Sequence, residues 1–313
     1  MPTFFLFILG LALLLLGSSG VVKNALIISR IAKISPLIVG VTVVAIGTSL
    51  PEITVSFFGG IENTHGLALG NIIGSNIANI GLILGVSLLV KRIYIGKTKT
   101  QKNMLVTLFI SLILFMTLLT GGLTIIHGLI FVILGFGFTI WLVKHGRKDE
   151  LPEELSSKKS GNVVLVVGSF ILSIAVLIIG GKLSVDAGVA IANLLKIPQA
   201  IIGITALAIG TSLPELAVSV IGLTRGSSQH EEKLVIGNIL GSNIFNIVFG
   251  AGTLGLFGIK HFNDQVSLYT FLIFTLTLCL LIYYFKGKAI PRYFGIMLLF
   301  FYIIYLAKVF SGV

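Results

Sequence analysis

Two glutamates, Glu52 and Glu215, stand where a carboxylate is hardest to keep. Nine of the eleven acidic residues fall in polar stretches or at the edges of apolar ones; only these two lie deep inside long apolar runs. A carboxylate away from water costs several kcal/mol unless it is paired or neutralised, and one inside a membrane is a functional candidate by default. No lysine or arginine lies at comparable depth in the sequence. The surrounding residues are oxygen donors. On a continuous helix, Thr48 and Ser49 sit one turn before Glu52, and Thr211 and Ser212 repeat this before Glu215. Pro51 and Pro214 lack an N–H, so the carbonyls of Gly47 and Gly210 are expected to lose their usual helical partners. Further on, Asn71, Ser75 and Asn79 are spaced four apart, as are Asn238, Ser242 and Asn246. Taken alone, each serine, asparagine or glycine set also reads as helix-packing glue. Together, carboxylate, hydroxyl, amide and carbonyl oxygens without sulfur or imidazole favour Ca²⁺ or Na⁺ over transition metals.

These groups occur twice. The block Thr42–Ser56, TVVAIGTSLPEITVS, recurs as TALAIGTSLPELAVS from Thr205 to Ser219, an offset of 163 with eleven of fifteen positions identical. GNIIGSNIANI from Gly70 recurs as GNILGSNIFNI from Gly237, an offset of 167 with nine of eleven identical. The first offset also aligns Gly17 with Gly180 and Gly40 with Gly203. Shared apolar bias can match Leu to Ile, but it does not place Gly-Thr-Ser-Leu-Pro-Glu twice.

The elements that must hold these residues follow from composition. The chain is 313 residues long, 56% hydrophobic and 11% charged, with 37 glycines and a mean hydropathy of +1.09. Soluble domains are about 25% charged, so a soluble enzyme or a nucleic-acid module is excluded and the chain reads as a polytopic membrane protein. Ten apolar segments are expected to span a bilayer: 3–22, 36–59, 66–90, 103–119, 124–143, 163–181, 199–223, 234–258, 267–285 and 292–310. The first is read as a retained helix rather than a signal peptide, because no basic region precedes it and segment 163–181 is its counterpart.

With ten spans, alternate loops lie on opposite faces. One set then holds 18 of the 22 Lys and Arg residues and the other holds Lys182, Lys196, Lys260 and Lys308. By the positive-inside rule the rich set is cytoplasmic and both termini are outside. The net charge of +11 is thus a topology signal, offset by two buried negative charges. The expected fold is all-α: residues 1–143 form a first five-helix repeat, 144–162 a cytoplasmic linker and 163–313 a second five-helix repeat. Five is odd, so the halves are inverted, an arrangement that suits alternating access with a site near the midplane. Cys279 is the single cysteine, so no intrachain disulfide is possible, and the five histidines show no metal-ligand spacing.

The paired motifs Gly-Thr-Ser-Leu-Pro-Glu and Gly-Asn-Ile-(Ile/Leu)-Gly-Ser-Asn-Ile, twice in a ten-segment chain, resemble the α-repeats of the sodium/calcium exchanger family, within the calcium/cation antiporter superfamily. The short linker resembles the prokaryotic form. That resemblance implies a cluster of four cation sites. Glu52 and Glu215, with Thr48 and Thr211, would hold Ca²⁺. Ser49, Ser75 and the Ala45 carbonyl would line one outer Na⁺ site, and Ser212, Ser242 and the Ala208 carbonyl the other; Asn79 and Asn246 would complete the middle. Some members carry aspartate where this chain has Asn246, which leaves the middle site and any role for protonation open. The resemblance also implies that helices 1 and 6 slide across the core.

The expected activity is therefore antiport of Na⁺ against Ca²⁺, with no resident cofactor, no nucleic-acid partner, a bilayer as surroundings and a single chain as the working unit. Two carboxylates match one Ca²⁺, whereas three Na⁺ would leave the site at +1, so an electrogenic exchange of about three for one is expected. Ca²⁺/H⁺ exchange and K⁺-dependent Na⁺/Ca²⁺ exchange remain alternatives, since two protons also neutralise the pair. A cation channel fits less well, because a pore commonly needs several chains around an axis. An intramembrane enzyme using Ser49 has no buried His or Lys to activate it.

Overall fold

The computed structural model describes residues 2–31, 45–96, 99–146, 163–225, 229–259, 262 and 264–311. The beginning of the expected segment 36–59, including Gly40, and most of the linker 144–162 lie outside them. In chain order the helices are α1 (Pro2–Ile31), α2 (Ala45–Thr48), α3 (Leu50–Ile61), α4 (His65–Ala78), α5 (Gly85–Val90), α6 (Lys99–Thr120), α7 (Ile125–Gly146) and α8 (Val163–Leu195). There follow α9 (Gln199–Ile202), α10 (Ala208–Thr211), α11 (Leu213–Arg225), α12 (Gln229–Phe245), α13 (Gly252–Gly255), α14 (Gln265–Tyr284) and α15 (Tyr293–Ser311). Wider π-helical turns at Asn79–Leu84, Gly203–Leu207 and Asn246–Ala251 join α4 to α5, α9 to α10 and α12 to α13.

Among the described residues, eight helical stretches are long and apolar enough to cross a membrane, and Pro2–Gly17 and Leu50–Ile61 are shorter apolar helices. The expectation of an all-α chain needs one amendment. Strands β1 (Ile93–Tyr94) and β2 (Ala289–Ile290) pair antiparallel and tie a connection of the first half to one of the second.

Two boundaries differ from the sequence reading. The expected segment 3–22 extends to Ile31, and 163–181 extends to Leu195. Hydropathy stops at Lys182, but the helix does not. Lys182 Nζ lies 2.6 Å from Glu62 Oε1 and 3.3 Å from Asp186 Oδ2 on an exposed face, and lysine is a good helix former, so a charge ends the apolar run without ending the helix.

The helices α1 and α8 pack along one another. Their contacts run in opposite senses: a Cβ on Gly10 would meet Ser184, one on Gly17 would meet the Leu177 backbone at 2.5 Å, and one on Gly20 would meet Ser173. The two helices are therefore antiparallel, with backbones touching at glycines. Asn24 seals one end of the seam by donating to Ser169 Oγ at 3.0 Å and to the Gly20 carbonyl at 2.8 Å. The remaining helices enclose a core in which Ile72, Ile73, Ile77, Ile80, Ile244 and Ile247 are all fully buried. The π turns at Asn79 and Asn246 start at equivalent repeat positions within this core.

Candidate cation site

The two motif helices are broken rather than continuous. Ser49 (φ −86°, ψ 0°) separates α2 from α3, and Ser212 (φ −86°, ψ 6°) separates α10 from α11. The prolines explain the restart: Pro51 and Pro214 sit in the first turn of the new helix, where a missing N–H costs nothing. The break has a consequence for the carboxylates: Glu52 and Glu215 each fall in the first turn of a helix, where the positive end of the helix dipole favours a carboxylate.

Both glutamates are fully buried. They are close enough to interact electrostatically, and each is faced by hydroxyls of both repeats: Ser75 with Thr211 and Ser212 around Glu52, Ser242 with Thr48 around Glu215. Ser212 Oγ donates to Glu52 Oε1 at 3.1 Å. Ser49 and Glu52 lie within one turn, with the Ile53 N–H on the Ser49 carbonyl, but the hydroxyl that reaches the Glu52 carboxylate is that of Ser212 from the other repeat.

Around Glu52 the polar groups form a connected cluster. Thr211 Oγ1 donates to Asn71 Oδ1 at 3.1 Å, and Thr211 and Ser75 hydroxyls lie 3.4 Å apart. Both hydroxyls also reach the Ala208 carbonyl at 3.4 Å. Asn79 Nδ2 donates to Asn243 Oδ1 at 2.9 Å. Around Glu215, Thr48 and Ser242 hydroxyls lie 3.3 Å apart. Among the described residues, Ser49 Oγ, both Glu215 carboxylate oxygens and the side-chain amides of Asn238 and Asn246 are buried with no hydrogen-bond partner. Ser56 Oγ, one turn below, donates to the Glu52 carbonyl at 2.8 Å.

All twelve residues singled out from the sequence fall on these elements, with Ala45 opening α2. Ser75, which the resemblance set beside the Ala45 carbonyl, lies 3.4 Å from that of Ala208, because α4 packs on the second repeat. Glycines make this possible: a Cβ on Gly74 would meet the Ile204 carbonyl at 2.5 Å and one on Gly70 the Ala200 carbonyl at 2.7 Å, while one on Gly203 would strike Leu67 O. Asn71 and Asn243 join the cluster although neither was among the twelve. Asn71 was visible in the four-residue spacing, and Asn243 in the repeated Gly-Ser-Asn.

Among the described residues no three His, Cys, Asp or Glu side chains gather as a metal cluster, and neither glutamate takes part in an ion pair. A dianionic pocket lined by hydroxyl, amide and carbonyl oxygens suits hard cations of low charge that pass through.

Comparison with known proteins agrees with this chemistry. The family described as sodium/calcium exchanger protein matches residues 2–144 and 165–310. The sodium/calcium exchanger MaX1 of Methanosarcina acetivorans is 30% identical, with 98% of each chain covered. An uncharacterised membrane protein of Methanocaldococcus jannaschii is 36% identical over 98% of this chain and 97% of its own. A solved structure of the sodium-calcium exchanger NCX_Mj, soaked with 10 mM Na⁺ and zero Ca²⁺, superposes with a TM-score of 0.68 at 34% identity, with 98% of both chains covered. With the broken helices, the buried glutamate pair and the oxygen-rich lining in view, the chain belongs to the sodium/calcium exchanger family in its prokaryotic form: a membrane cation antiporter, not an enzyme.

Proposed function

We propose that this chain exchanges Na⁺ for Ca²⁺ by alternating access at the site built around Glu52 and Glu215. The observation that carries this reading is the meeting of two fully buried carboxylates from equivalent repeat positions, each faced by hydroxyls of the other repeat. Two negative charges balance one Ca²⁺, and three Na⁺ would overload them by one, so exchange at about three to one moves charge across the membrane. Ser75, Thr211 and the Ala208 carbonyl, with Glu52, would form one cation position. Thr48, Ser49, Ser242 and the Ala45 carbonyl, with Glu215, would form its repeat-related counterpart. Thr48 and Thr211 flank the Ca²⁺ position between the glutamates, Ser212 supports it through Glu52, and Asn79 and Asn246 line the middle.

The architecture proposed is ten membrane-spanning helices in two inverted five-helix repeats, 1–143 and 163–313, joined by the linker 144–162. The antiparallel packing of α1 on α8 supports the inversion, because repeat-equivalent helices of inverted halves run in opposite directions. The two shorter apolar helices would complete the eight long ones to ten. The charge asymmetry between alternate loops supports a cell-membrane protein with both termini outside, and the site lies within one chain, which supports a working monomer.

Isotope flux into proteoliposomes tests the reading, with Na⁺, K⁺ and H⁺ gradients imposed separately. Ca²⁺ uptake should follow an outward Na⁺ gradient and change with membrane potential. Uptake that ignores Na⁺ and follows a pH step would replace it with Ca²⁺/H⁺ exchange, and an added requirement for K⁺ with K⁺-dependent exchange. Single-channel currents from the purified protein would point to a pore.

A further inference from the structure

Away from the glutamates, a cleft of about 440 Å³ opens where β1 and β2 join the two halves; Lys91, Arg92, Tyr94, Glu232, Ala289 and Arg292 line it. Its one acid is already engaged. Glu232, 8% exposed, pairs with Lys91 Nζ at 3.0 Å and accepts the Tyr94 backbone N–H at 2.8 Å. Lys91 and Glu232 thus cancel, and two guanidiniums remain. Arg292 is fixed beside the cleft by donating one N–H to the Val90 carbonyl at 3.1 Å, which leaves other donors of the same planar fork facing outward. Arg92 is exposed and, among the described residues, makes no ion pair.

The position in the bilayer follows from the flanking helices. Val90 ends one long apolar stretch and Tyr293 begins another, so both arginines stand at the end of a membrane span. Tyr284 and Tyr293, 75% and 57% exposed, ring the same level. Exposed tyrosines beside arginines mark the headgroup layer. A cleft with two uncompensated guanidiniums at that depth matches a phosphate diester, which arginine grips bidentately, and basic pockets between spans on a cytoplasmic face bind anionic headgroups.

We propose that the cleft formed by Arg92, Arg292 and the Lys91–Glu232 pair is a binding site for the phosphate of an anionic phospholipid headgroup. The lipid would bridge the connection after α5 and the connection before α15, and so brace the two halves at the β1–β2 contact. The site is independent of which ions the protein exchanges, and its test reads binding rather than transport.

Purified protein equilibrated with mixed phosphatidylglycerol and phosphatidylcholine would be analysed by native mass spectrometry for retained lipid. The wild type should keep phosphatidylglycerol in preference to phosphatidylcholine. Arg92→Gln with Arg292→Gln should reduce that retention about tenfold, the scale of one or two charge-assisted hydrogen bonds. Arg92→Gln alone, which removes no contact among the described residues, should give a smaller loss in a protein of unchanged stability. Lys308→Gln, which removes a charge from the far end of α15, should have no effect. Equal retention in wild type and double variant would overturn the proposal, as would an equal loss in Lys308→Gln. Displacement of the lipid by millimolar inorganic phosphate would reassign the cleft to a free phosphate and overturn the lipid reading.

Discussion

The two halves of the cation site share a sequence and differ in geometry. The half built on Glu52 draws on α10, Ser212 and α4: Ser212 donates to the carboxylate, and Thr211 donates to Asn71 and lies beside Ser75. The half built on Glu215 draws on α2, Ser49 and α12, where the Thr48 and Ser242 hydroxyls lie 3.3 Å apart, and the bond from Asn79 to Asn243 bridges the two halves. The contacts Ser212 to Glu52 and Thr211 to Asn71 have repeat equivalents in Ser49 to Glu215 and Thr48 to Asn238. Among the described residues neither equivalent is formed, since Ser49 Oγ and the Glu215 and Asn238 side chains have no hydrogen-bond partner. One motif thus stands in two arrangements within one molecule. Under the proposed alternating access between inverted repeats, each half would adopt in turn the arrangement that the other has just left. The difference also shows what a cation must do. At the first carboxylate it competes with the Ser212 bond, and at the second it meets two oxygens with no hydrogen bond among the described residues.

The largest effect tests what the halves have in common. Glu52→Gln and Glu215→Gln should each reduce Ca²⁺ flux about a hundredfold or more, because losing one partner of a buried charge interaction costs ~3–5 kcal/mol. Retention of wild-type flux in either variant would show that the two carboxylates are not one site. An intermediate effect separates the halves. Thr211→Val deprives Asn71, Ser75 and the Ala208 carbonyl of a partner and should destabilise the ion-free protein by about 1–3 kcal/mol. Thr48→Val deprives no asparagine of a bond, since Asn238 has none among the described residues, and should cost less. Equal drops in melting temperature, measured in chelator without Na⁺, would remove the asymmetry. The smallest effects form the sharpest contrast. Ser212→Ala breaks the bond to Glu52 and should cost about 1 kcal/mol, whereas Ser49→Ala should stay within about 0.5 kcal/mol of the wild type. A reversed order would mean that the tight half is the one around Glu215.

The sequence made the repeat and the membrane class plain, since duplicated polar residues in apolar runs have no other economical reading. It named Glu52, Glu215 and the hydroxyls beside them, because a buried carboxylate is rare enough to be seen without a fold. It did not tell which hydroxyl meets which carboxylate. Helical spacing puts Ser49 one turn from Glu52, but it does not say which hydroxyl in reach takes the carboxylate, and Ser212 of the other repeat does. The glycines were legible as contact points but not their partners: that Gly74 lies on Ile204 is a tertiary fact with no local trace. The lengths of α1 and α8 were underestimated for a simpler reason. Hydropathy reads Lys182 as an end, but an exposed lysine suits a helix, and the apolar run stops before the helix does.

That length has a mechanical consequence. Val164, Leu165, Leu194 and Leu195, near the two ends of α8, are all more than half exposed, as are Phe5 and Ile8 on its antiparallel partner. A helix of 33 residues measures about 50 Å, against a hydrocarbon layer about 30 Å thick. The pair is therefore longer than the layer it crosses, and the turns from Lys182 onward, where Lys182 and Asp186 stay exposed, reach past the hydrocarbon. Any movement of α1 and α8 along their axes would carry those polar turns through the lipid–water boundary, so bilayer thickness would become part of the load against which the exchanger works.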